Sequence, residues 1–496
     1  SFAMAGYASA ISFTAAGIAV GASLASLAYN TFRIAERQGS DLMMAETTAQ
    51  KLETAAQKLE EIYAAAVADL SAVRQELTAT AELRQALEQA TAIKLKGELQ
   101  APSTAAAFPV NVEQSLAKQD TAAEAAAEAA AAQVRLRLDH YEYTHRGGSG
   151  HGPKENQDAY FVLRVDEANW AYGVLDGHGG EHGRVASMAA SAAMQEHLRA
   201  HFWRLRSEPE AVMSEVFEAA HAAIWEAIKA MPDVFERDGM LVMEVEEEDW
   251  PLGYDAVDGG STASVAAIVD GRTLVYAAVG DSAGILAQPG GGEAKVEELV
   301  AEHAPVRLDE WVARLHSTGI EVVYDHPDMF EGEDQLLRVF DRDATGAWRL
   351  SEEALRRADE MGCGFKTERG DRSAVLMTPE EGRFSQMMLN VTRSLGDFYH
   401  GQYGVTWRPE VVTRDLAEEL GPGGRAVLCV ASDGVWDLWT FEEAMADLLD
   451  GSELPAAQPA RRKLVMDFME NSRNKGYDAF GDSADNLTGI VVYIET

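Results

Sequence analysis

The chain has 496 residues, 47% of them hydrophobic, which suffices for one large domain with an extension or for two or three domains. Its 42 basic and 81 acidic residues give a net charge of −39, which argues against a nucleic-acid-binding surface, because phosphate backbones require a basic face. Two cysteines, Cys363 and Cys429, exclude a disulfide framework and a Cys-rich zinc site. Divalent cations or basic partners fit this composition better.

The first segment, residues 1–32, contains no charged residue. Its length exceeds the roughly 20 residues that a helix needs to cross a bilayer. Gly17 and Gly21 stand four residues apart, and small residues at this spacing let helices approach closely inside a membrane. We therefore expect a helix in a membrane or a membrane complex. The alternative is a helix buried against a soluble partner, because the segment has few large apolar side chains.

Residues 33–139 are expected to form a helical, alanine-rich extension and linker. Leu52, Leu59, Ala66 and Val73 follow a seven-residue repeat, which favours a long helix that pairs with another helix. Residues 121–133 are mostly alanine with spaced glutamates, a composition typical of a helical spacer. The extension therefore predicts contacts with other protein subunits and no chemistry of its own.

From residue 140 to 496 the pattern becomes that of a folded domain with alternating strands and helices. Asp270-Gly271 between two apolar runs is the strongest hairpin signal in the chain. The order of elements predicts an α+β fold with antiparallel sheets and helices outside them. The predicted elements are strands 159–163, 170–175, 260–269 and 273–279 and helices 184–202, 211–231 and 308–318.

Residues 324–383 are charged and have few long apolar runs, so we interpret them as an inserted surface region.

Carboxylates stand at the ends of several apolar runs. Asp176 directly follows the strand that ends in Val174-Leu175, and Asp281, Asp433 and Asp485 occupy similar positions. An Asp-Gly pair is also an ordinary turn, so Asp176 alone does not decide between a turn and a metal site. Carboxylates from separate strands suit Mg²⁺ or Mn²⁺ when a fold brings them together. Two ions that share Asp176 would activate water and neutralise the oxygens of a phosphate.

His178 lies two residues after Asp176, in Asp-Gly-His-Gly-Gly. A histidine at this position has three possible roles: a metal ligand, a hydrogen-bonded core residue, or a general acid that protonates a leaving oxygen. The residues alone leave these three roles open.

Eight motifs in order resemble the metal-dependent protein serine/threonine phosphatases of type 2C. The resemblance covers nearly all of residues 140–496 and none of the extension before them. The motifs are Glu155-Asn-Gln-Asp-Ala-Tyr160, Val174-Leu-Asp-Gly-His-Gly-Gly180, Gly260-Ser-Thr-Ala263, Val279-Gly-Asp-Ser282, Glu302-His-Ala-Pro305, Asn390-Val-Thr-Arg-Ser-Leu-Gly-Asp397, Ala431-Ser-Asp-Gly-Val-Trp-Asp437 and Asp485-Asn486.

The resemblance implies a central antiparallel β-sandwich flanked by helices, with two or three Mg²⁺ or Mn²⁺ ions at one end. By resemblance Asp176 bridges two ions, the Gly177 carbonyl binds one of them, and Asp433 and Asp485 hold the other. Asp158 is implied to orient water beside the ions, and His178 to protonate the departing Ser or Thr oxygen. Two further aspartates, each matching a position of a third, looser ion, are Asp281 and Asp437.

Three positions depart from the family pattern. Many members have Glu where this chain has Gln157, whose amide oxygen can still bind a metal but brings no charge, so weaker binding is expected. The residue that grips phosphate commonly lies where Pro153 stands; Lys154 is the nearest replacement, with Arg146 behind it, or Lys154 is a plain surface residue. Ala283 replaces a usual arginine. The insertion near the flap beside the active site could gate substrates or provide a docking surface.

The predicted function is hydrolysis of phosphoserine and phosphothreonine in proteins by water that two metal ions activate, without a covalent phosphoenzyme. The alternative is a catalytically impaired phosphatase-fold subunit of a membrane assembly. The chain starts at Ser1, which hints at a removed presequence. Together with residues 1–32 this predicts a membrane-associated protein in an organelle, at the mitochondrial inner membrane or the plastid thylakoid.

Overall fold

The computed structural model describes residues 135–148, 155–245, 253–290, 294–326, 329, 335–380, 382–449 and 458–496. The predicted helix of residues 1–32, almost all of the extension to residue 139, and Lys154 lie outside these residues. Among the described helices, none is both long enough and apolar enough to cross a membrane.

Two five-stranded antiparallel sheets form the centre of the fold. The ten strands in chain order are β1 (Arg137–His145), β2 (Ala159–Arg164), β3 (Trp170–Leu175), β4 (Ala263–Val269), β5 (Thr273–Val279), β6 (Ala283–Gln288), β7 (Lys295–Glu298), β8 (Glu410–Asp415), β9 (Arg425–Ala431) and β10 (Leu487–Glu495). The strand order is β1-β10-β9-β6-β7 in one sheet and β8-β5-β4-β3-β2 in the other.

Strand β4 shows why the two sheets stack. All seven of its residues are buried, because its two faces pack against different layers. Val265 and Ala267 face two outer helices, whereas Ala266 and Ile268 face the other sheet. Since side chains alternate along a strand, a run that is apolar at every position fits a strand covered on both sides. The fold therefore has four layers, with helices outside each sheet, and the predicted α+β sandwich is confirmed.

The outer layers consist of two helix pairs. Helices α1 (Gly183–His201) and α2 (Pro209–Lys229) cover the sheet that contains β2, β3, β4, β5 and β8. Helices α4 (Phe441–Leu448) and α5 (Gln458–Phe480) cover the other sheet. Helix α3 (Glu352–Met361) belongs to the insertion. The remaining helical segments are short: Phe202–Arg206, Leu308–Glu310, Trp311–Leu315, Phe398–Gly401, Leu416–Leu420, Asp433–Trp436 and Gly481–Ser483.

The predicted hairpin between β4 and β5 is present, with Val269 opposite Thr273. Asp270 and Gly271 both have positive φ, 58° and 61°. Two consecutive residues in the left-handed region match the tight turns that join twisted antiparallel strands.

The segment 308–318 differs from the predicted single helix. Leu308–Glu310 forms one α-turn, and Trp311–Leu315 continues as a π-helix. Glu310 is buried and pairs with Arg314 one turn away and with the distant Arg393, so a tertiary ion pair accompanies the change of helix type.

The insertion is more than a surface region. Its strands are Phe340–Arg342, Trp348–Leu350 and Ala374–Met377, and the last of these pairs with the strand Glu321–Tyr324, which leads into the insertion. Trp311 stacks on Phe340 with ring centroids 5.0 Å apart, within a separate apolar cluster that includes Cys363. The cluster is assembled from residues far apart in sequence, so the lack of long apolar runs did not predict it.

Short strands complete the fold around the end of the sandwich. They are Gly177–His178, Val234–Arg237, Met240–Glu244, Tyr254–Ala256, Gly260–Ser261, Met388–Leu389 and Leu395–Gly396.

Candidate metal centre

Antiparallel pairing brings the predicted carboxylates to one end of the sandwich. Val174 pairs with Ser264 and Ala263 with Val279, so the segments that carry Asp176 and Asp281 leave the same edge. In the other sheet, Ala283 pairs with Ala431 and Ala431 with Gly489. The same edge therefore also carries the two remaining strand-end aspartates, Asp433 and Asp485.

Asp176 lies at the centre of this carboxylate group. Burial, followed by the charges of Asp158, Asp433 and Asp485, raises the pKa of Asp176 well above its usual range. Burial also raises the pKa of Asp158 to about 7, and the nearby charges of Asp485 and Asp433 act in the same direction. Several buried carboxylates in mutual repulsion constitute a site that a divalent cation would stabilise.

Two oxygens of this group support the fit to a hard cation. Oδ1 of Asp158 and Oδ1 of Asp433 are buried and have no hydrogen-bond partner among the described residues. Buried polar atoms are nearly always paired, so unpaired carboxylate oxygens in an acidic pocket are available as ligands. The residues present therefore fit Mg²⁺ or Mn²⁺.

An acidic triad also lies elsewhere in the described part of the chain. One carboxylate oxygen each of Asp309, Glu310 and Glu410 lies within 4.8 Å of the other two. Arg307 and Arg393 neutralise the triad, with Nη2 of Arg393 2.6 Å from Glu310.

Glycines allow the backbone to close around Asp176 and Asp433. A Cβ atom at Gly177 would lie 2.2 Å from the carbonyl oxygen of Gly183, and one at Gly434 would lie 1.9 Å from that of Asn486. The Asp-Gly pairs are therefore required by packing at both positions, beyond their frequency in turns.

Neutral side chains fix the segments that carry the acids. Ser432 Oγ donates to Asp158 Oδ2 at 3.1 Å and accepts from the Thr488 amide at 3.1 Å. Asn486 Oδ1 accepts from the Gln157 amide at 2.8 Å, and its Nδ2 donates to the Arg146 carbonyl at 2.7 Å. Asn486 thus joins the segment before β2 to the segment before β10, a positioning role that the sequence reading did not assign.

His178 forms an ion pair with Asp397, with Nε2 and Oδ2 2.7 Å apart. Burial lowers the pKa of His178, but the charge of Asp397 and its hydrogen bond outweigh burial and raise the pKa to about 9. The imidazole is therefore protonated at neutral pH. Asp397 is buried and has a φ of 45°. It closes the Asn390–Asp397 motif, but sequence reasoning gave it no role.

Gln157 contacts the Gly177–Gly183 turn instead of a charged group. Its Nε2 donates a hydrogen bond to the Gly180 carbonyl, and its backbone carbonyl accepts one from Ser187 Oγ. The side chain is thus placed beside the segment that carries Gly177 and His178.

Replacing Gln157 with Glu should lower the Mn²⁺ concentration required for half-saturation by roughly tenfold, because each 1.4 kcal/mol of added attraction changes an equilibrium constant tenfold. Without metal the variant should lose about 1 kcal/mol of stability, since the donor to the Gly180 carbonyl is lost. Calorimetric titration with Mn²⁺ measures the first effect, with Gln195→Glu on α1 as control. If the Mn²⁺ concentration for half-saturation is unchanged or higher in Gln157→Glu, Gln157 is not a metal ligand.

A lysine of the insertion contacts Asp281, one of the two carboxylates expected at a third ion. Lys366 Nζ lies 2.5 Å from Asp281 Oδ2 and 3.4 Å from Asp433 Oδ2. Burial raises the pKa of Asp437 to about 9, even though the Lys366 charge opposes the shift. Sequence reasoning missed Lys366, because one lysine in a run of charged residues gives no signal.

An open cleft of about 630 Å³ leads to this centre. It lies between the insertion and helix α5, and Arg146 stands at the exposed end of β1 nearby. Residues lining it include Asp433, Asp437, Asp485, Phe365, Arg473 and Phe480.

The protein phosphatase 2C family profile matches residues 150–305, and a second profile of that description matches residues 371–454. The chain belongs to the protein phosphatase 2C family. The two matches contain the segments with Asp176, Asp281 and Asp433 and leave a gap at 306–370. The predicted family membership is thereby confirmed, and protein phosphatases 2C act on phosphoproteins with Mg²⁺ or Mn²⁺.

Relatives in the protein phosphatase 2C family are distant. Probable protein phosphatase 2C 71 of Arabidopsis thaliana is 23% identical over 355 residues, which cover 71% of this chain and 55% of that relative. Protein phosphatase 1L of Bos taurus is 22% identical over 309 residues, covering 61% of this chain and 62% of the relative. The chain thus spans little more than half the length of some relatives.

Solved structures of similar proteins include the serine-threonine phosphatase 2C of Toxoplasma gondii, at 16% identity and a TM-score of 0.47 over 72% of this chain and 95% of that one. The catalytic domain of the serine threonine protein phosphatase PstP, solved with two manganese ions, is 17% identical with a TM-score of 0.36 over 72% and 99%.

Proposed function

We propose that this chain is a metal-dependent protein phosphatase that hydrolyses phosphoserine and phosphothreonine. The observation that supports it most is the convergence of Asp176, Asp433 and Asp485 at one end of the sandwich, beside a protonated histidine. Family membership supports the same reaction class.

Two Mg²⁺ or Mn²⁺ ions, held by Asp176 with the Gly177 carbonyl and by Asp433 with Asp485, would supply activated water and neutralise phosphate oxygens. Ser432 Oγ donates to Asp158 Oδ2 and holds Asp158 beside this group. Asp158 Oδ1, which has no partner among the residues that the structure describes, would orient a water or hold a proton.

His178 would donate its Nδ1 proton to the departing Ser or Thr oxygen, because Nε2 is hydrogen-bonded to Asp397 Oδ2. Asp397 holds the ring in place and keeps it charged, and a quarter of the His178 side chain (27%) is exposed toward solvent, so a substrate can reach it. A leaving alkoxide needs this proton, because its conjugate acid is much weaker than imidazolium.

Metal removal tests the proposal. After EDTA treatment, phosphate release from a phosphothreonine peptide should fall by at least about 100-fold, since bound ions contribute several kcal/mol to such reactions. Mn²⁺ should restore the rate. Equal rates with EDTA and with Mn²⁺ would refute the reaction.

The rival function is a catalytically impaired subunit, and Lys366 favours it, because an ammonium at 2.5 Å from Asp281 occupies part of the acidic pocket. Under this rival, phosphate release would stay at background with Mn²⁺ even though the ions bind.

Attachment to a membrane or membrane complex, in the mitochondrial inner membrane or plastid thylakoid, is a further part of the proposal and is supported by the charge-free residues 1–32. Deletion of residues 1–32 should move the protein from the membrane pellet to the supernatant. A 33–496 chain that stays in the pellet would place the attachment elsewhere.

A further inference from the structure

A hairpin of the insertion carries Lys366 in a defined conformation. Phe365 pairs with Arg372, and the Lys366 amide donates to the Asp371 carbonyl at 2.7 Å. Thr367 Oγ1 donates to Asp371 Oδ2 at 2.7 Å, and Gly370 closes the turn with a φ of 88°. These bonds within the hairpin fix the backbone at Lys366 independently of its ion pairs with Asp281 and Asp433.

The same hairpin is attached to the end of the sandwich at three points. The Glu368 amide donates to the Asp437 carbonyl at 3.0 Å. Arg369 donates to the Trp436 carbonyl and to Glu302 Oε1, each at 2.6 Å. Both Arg369 and Glu302 side chains are only 15% exposed, so this is a largely desolvated ion pair. The attachment makes the hairpin part of the centre.

The Lys366 ammonium lies where three acidic segments meet. Its distances to Asp281 and Asp433 are those of direct ion pairs, and the Asp437 charge also acts on it. Asp433 presents Oδ2 to the lysine, while its Oδ1 has no hydrogen-bond partner within the described part of the chain. One oxygen of Asp433 thus pairs with the Lys366 ammonium, and the other is available as a ligand for a divalent ion.

A second cation is not compatible with this place. A Mg²⁺-like ion requires oxygens at about 2.1 Å and would meet the positive ammonium within the same few ångströms, where charges repel strongly. Lys366 lies between the two regions that match the family profile, 150–305 and 371–454.

We propose that Lys366 is a built-in cation that takes the place between Asp281, Asp433 and Asp437, so that this chain binds its divalent ions only on the Asp176 and Asp485 side. The proposal rests on the proposed metal-dependent function. Its consequence is that part of the charge of the centre is supplied by the fold and does not vary with the concentration of free metal.

The test is calorimetric titration of the full chain with Mn²⁺, which counts ions independently of activity. Lys366→Met, which keeps length and removes charge, should bind one more ion per chain than the wild type. Lys366→Arg, which keeps the charge, should bind the wild-type number. Lys463→Met, on an exposed position of α5, is the matched control and should also bind the wild-type number.

A double variant locates the added ion. Lys366→Met with Asp281→Asn should return to the wild-type number, because one ligand of the vacated place is lost. Lys366→Gln replaces Lys366→Met if the latter does not fold, as judged by circular dichroism. Equal ion numbers for wild type and the neutral variants would overturn the proposed role of Lys366 but not the proposed function. A wild-type chain that binds no Mn²⁺ would overturn the proposed function as well.

Discussion

Replacement of Asp176 by Asn is expected to reduce phosphate release by about three orders of magnitude, because the loss of several kcal/mol of charge stabilisation divides the rate by ten for each 1.36 kcal/mol. The same change should raise the thermal midpoint in EDTA by roughly 2 °C, since a neutral amide replaces a carboxyl group whose ionisation is opposed by burial and by the neighbouring carboxylates. Burial and three neighbouring carboxylates raise the pKa of Asp176, which is the sign of that repulsion.

A loss of activity together with a gain in thermal stability would distinguish a catalytic carboxylate from one that only stabilises the fold. Peptide hydrolysis with Mn²⁺ and thermal unfolding in EDTA measure them on the same samples. Asp467→Asn, an exposed carboxylate on α5, is the control and should change neither quantity. If Asp176→Asn loses both activity and thermal stability, Asp176 has a structural role and the prediction is wrong.

Replacement of His178 by Gln is expected to slow hydrolysis of a phosphothreonine peptide by about 10²- to 10⁴-fold, the usual contribution of a general acid. Hydrolysis of p-nitrophenyl phosphate should fall by less than about tenfold, because its leaving group needs no proton. His197→Gln on α1 is the control. Equal losses on both substrates would exclude proton donation by His178.

Asp397→Asn tests the same residue through pH. The acid must be protonated, so the wild-type rate should fall as pH rises through about 9, the raised pKa of His178. Without the Asp397 charge, burial dominates and lowers that pKa, so the alkaline fall in rate should move to lower pH. If the pH profile of kcat is the same in Asp397→Asn and in the wild type, Asp397 does not control the pKa of the catalytic acid.

The strand-end aspartates could be found from sequence because their signals are local. An apolar run followed closely by Asp-Gly marks Asp176 and Asp433, and β3 ends at Leu175 as expected. Asp433 follows β9, which ends at Ala431. Their meeting depends on register between strands far apart in the chain, which local patterns do not determine. The motif resemblance supplied this information.

Lys366, Asp397 and Asn486 could not be found in that way. Lys366 reaches Asp281 across 85 residues, and Asp397 reaches His178 across 219. Each contact depends on a tertiary arrangement, the first on the hairpin of an insertion with its own apolar cluster. Single charged residues carry no periodic signal, so only the folded structure identifies them.

Anomalous diffraction from crystals of the full chain grown with Mn²⁺ tests the central claim most directly. We expect manganese peaks beside Asp176, one toward Asp433 and Asp485 and one toward the Gly177 carbonyl. Crystals with saturating Mn²⁺ but no peak within ligand distance of Asp176 would contradict the metal centre and the hydrolysis derived from it.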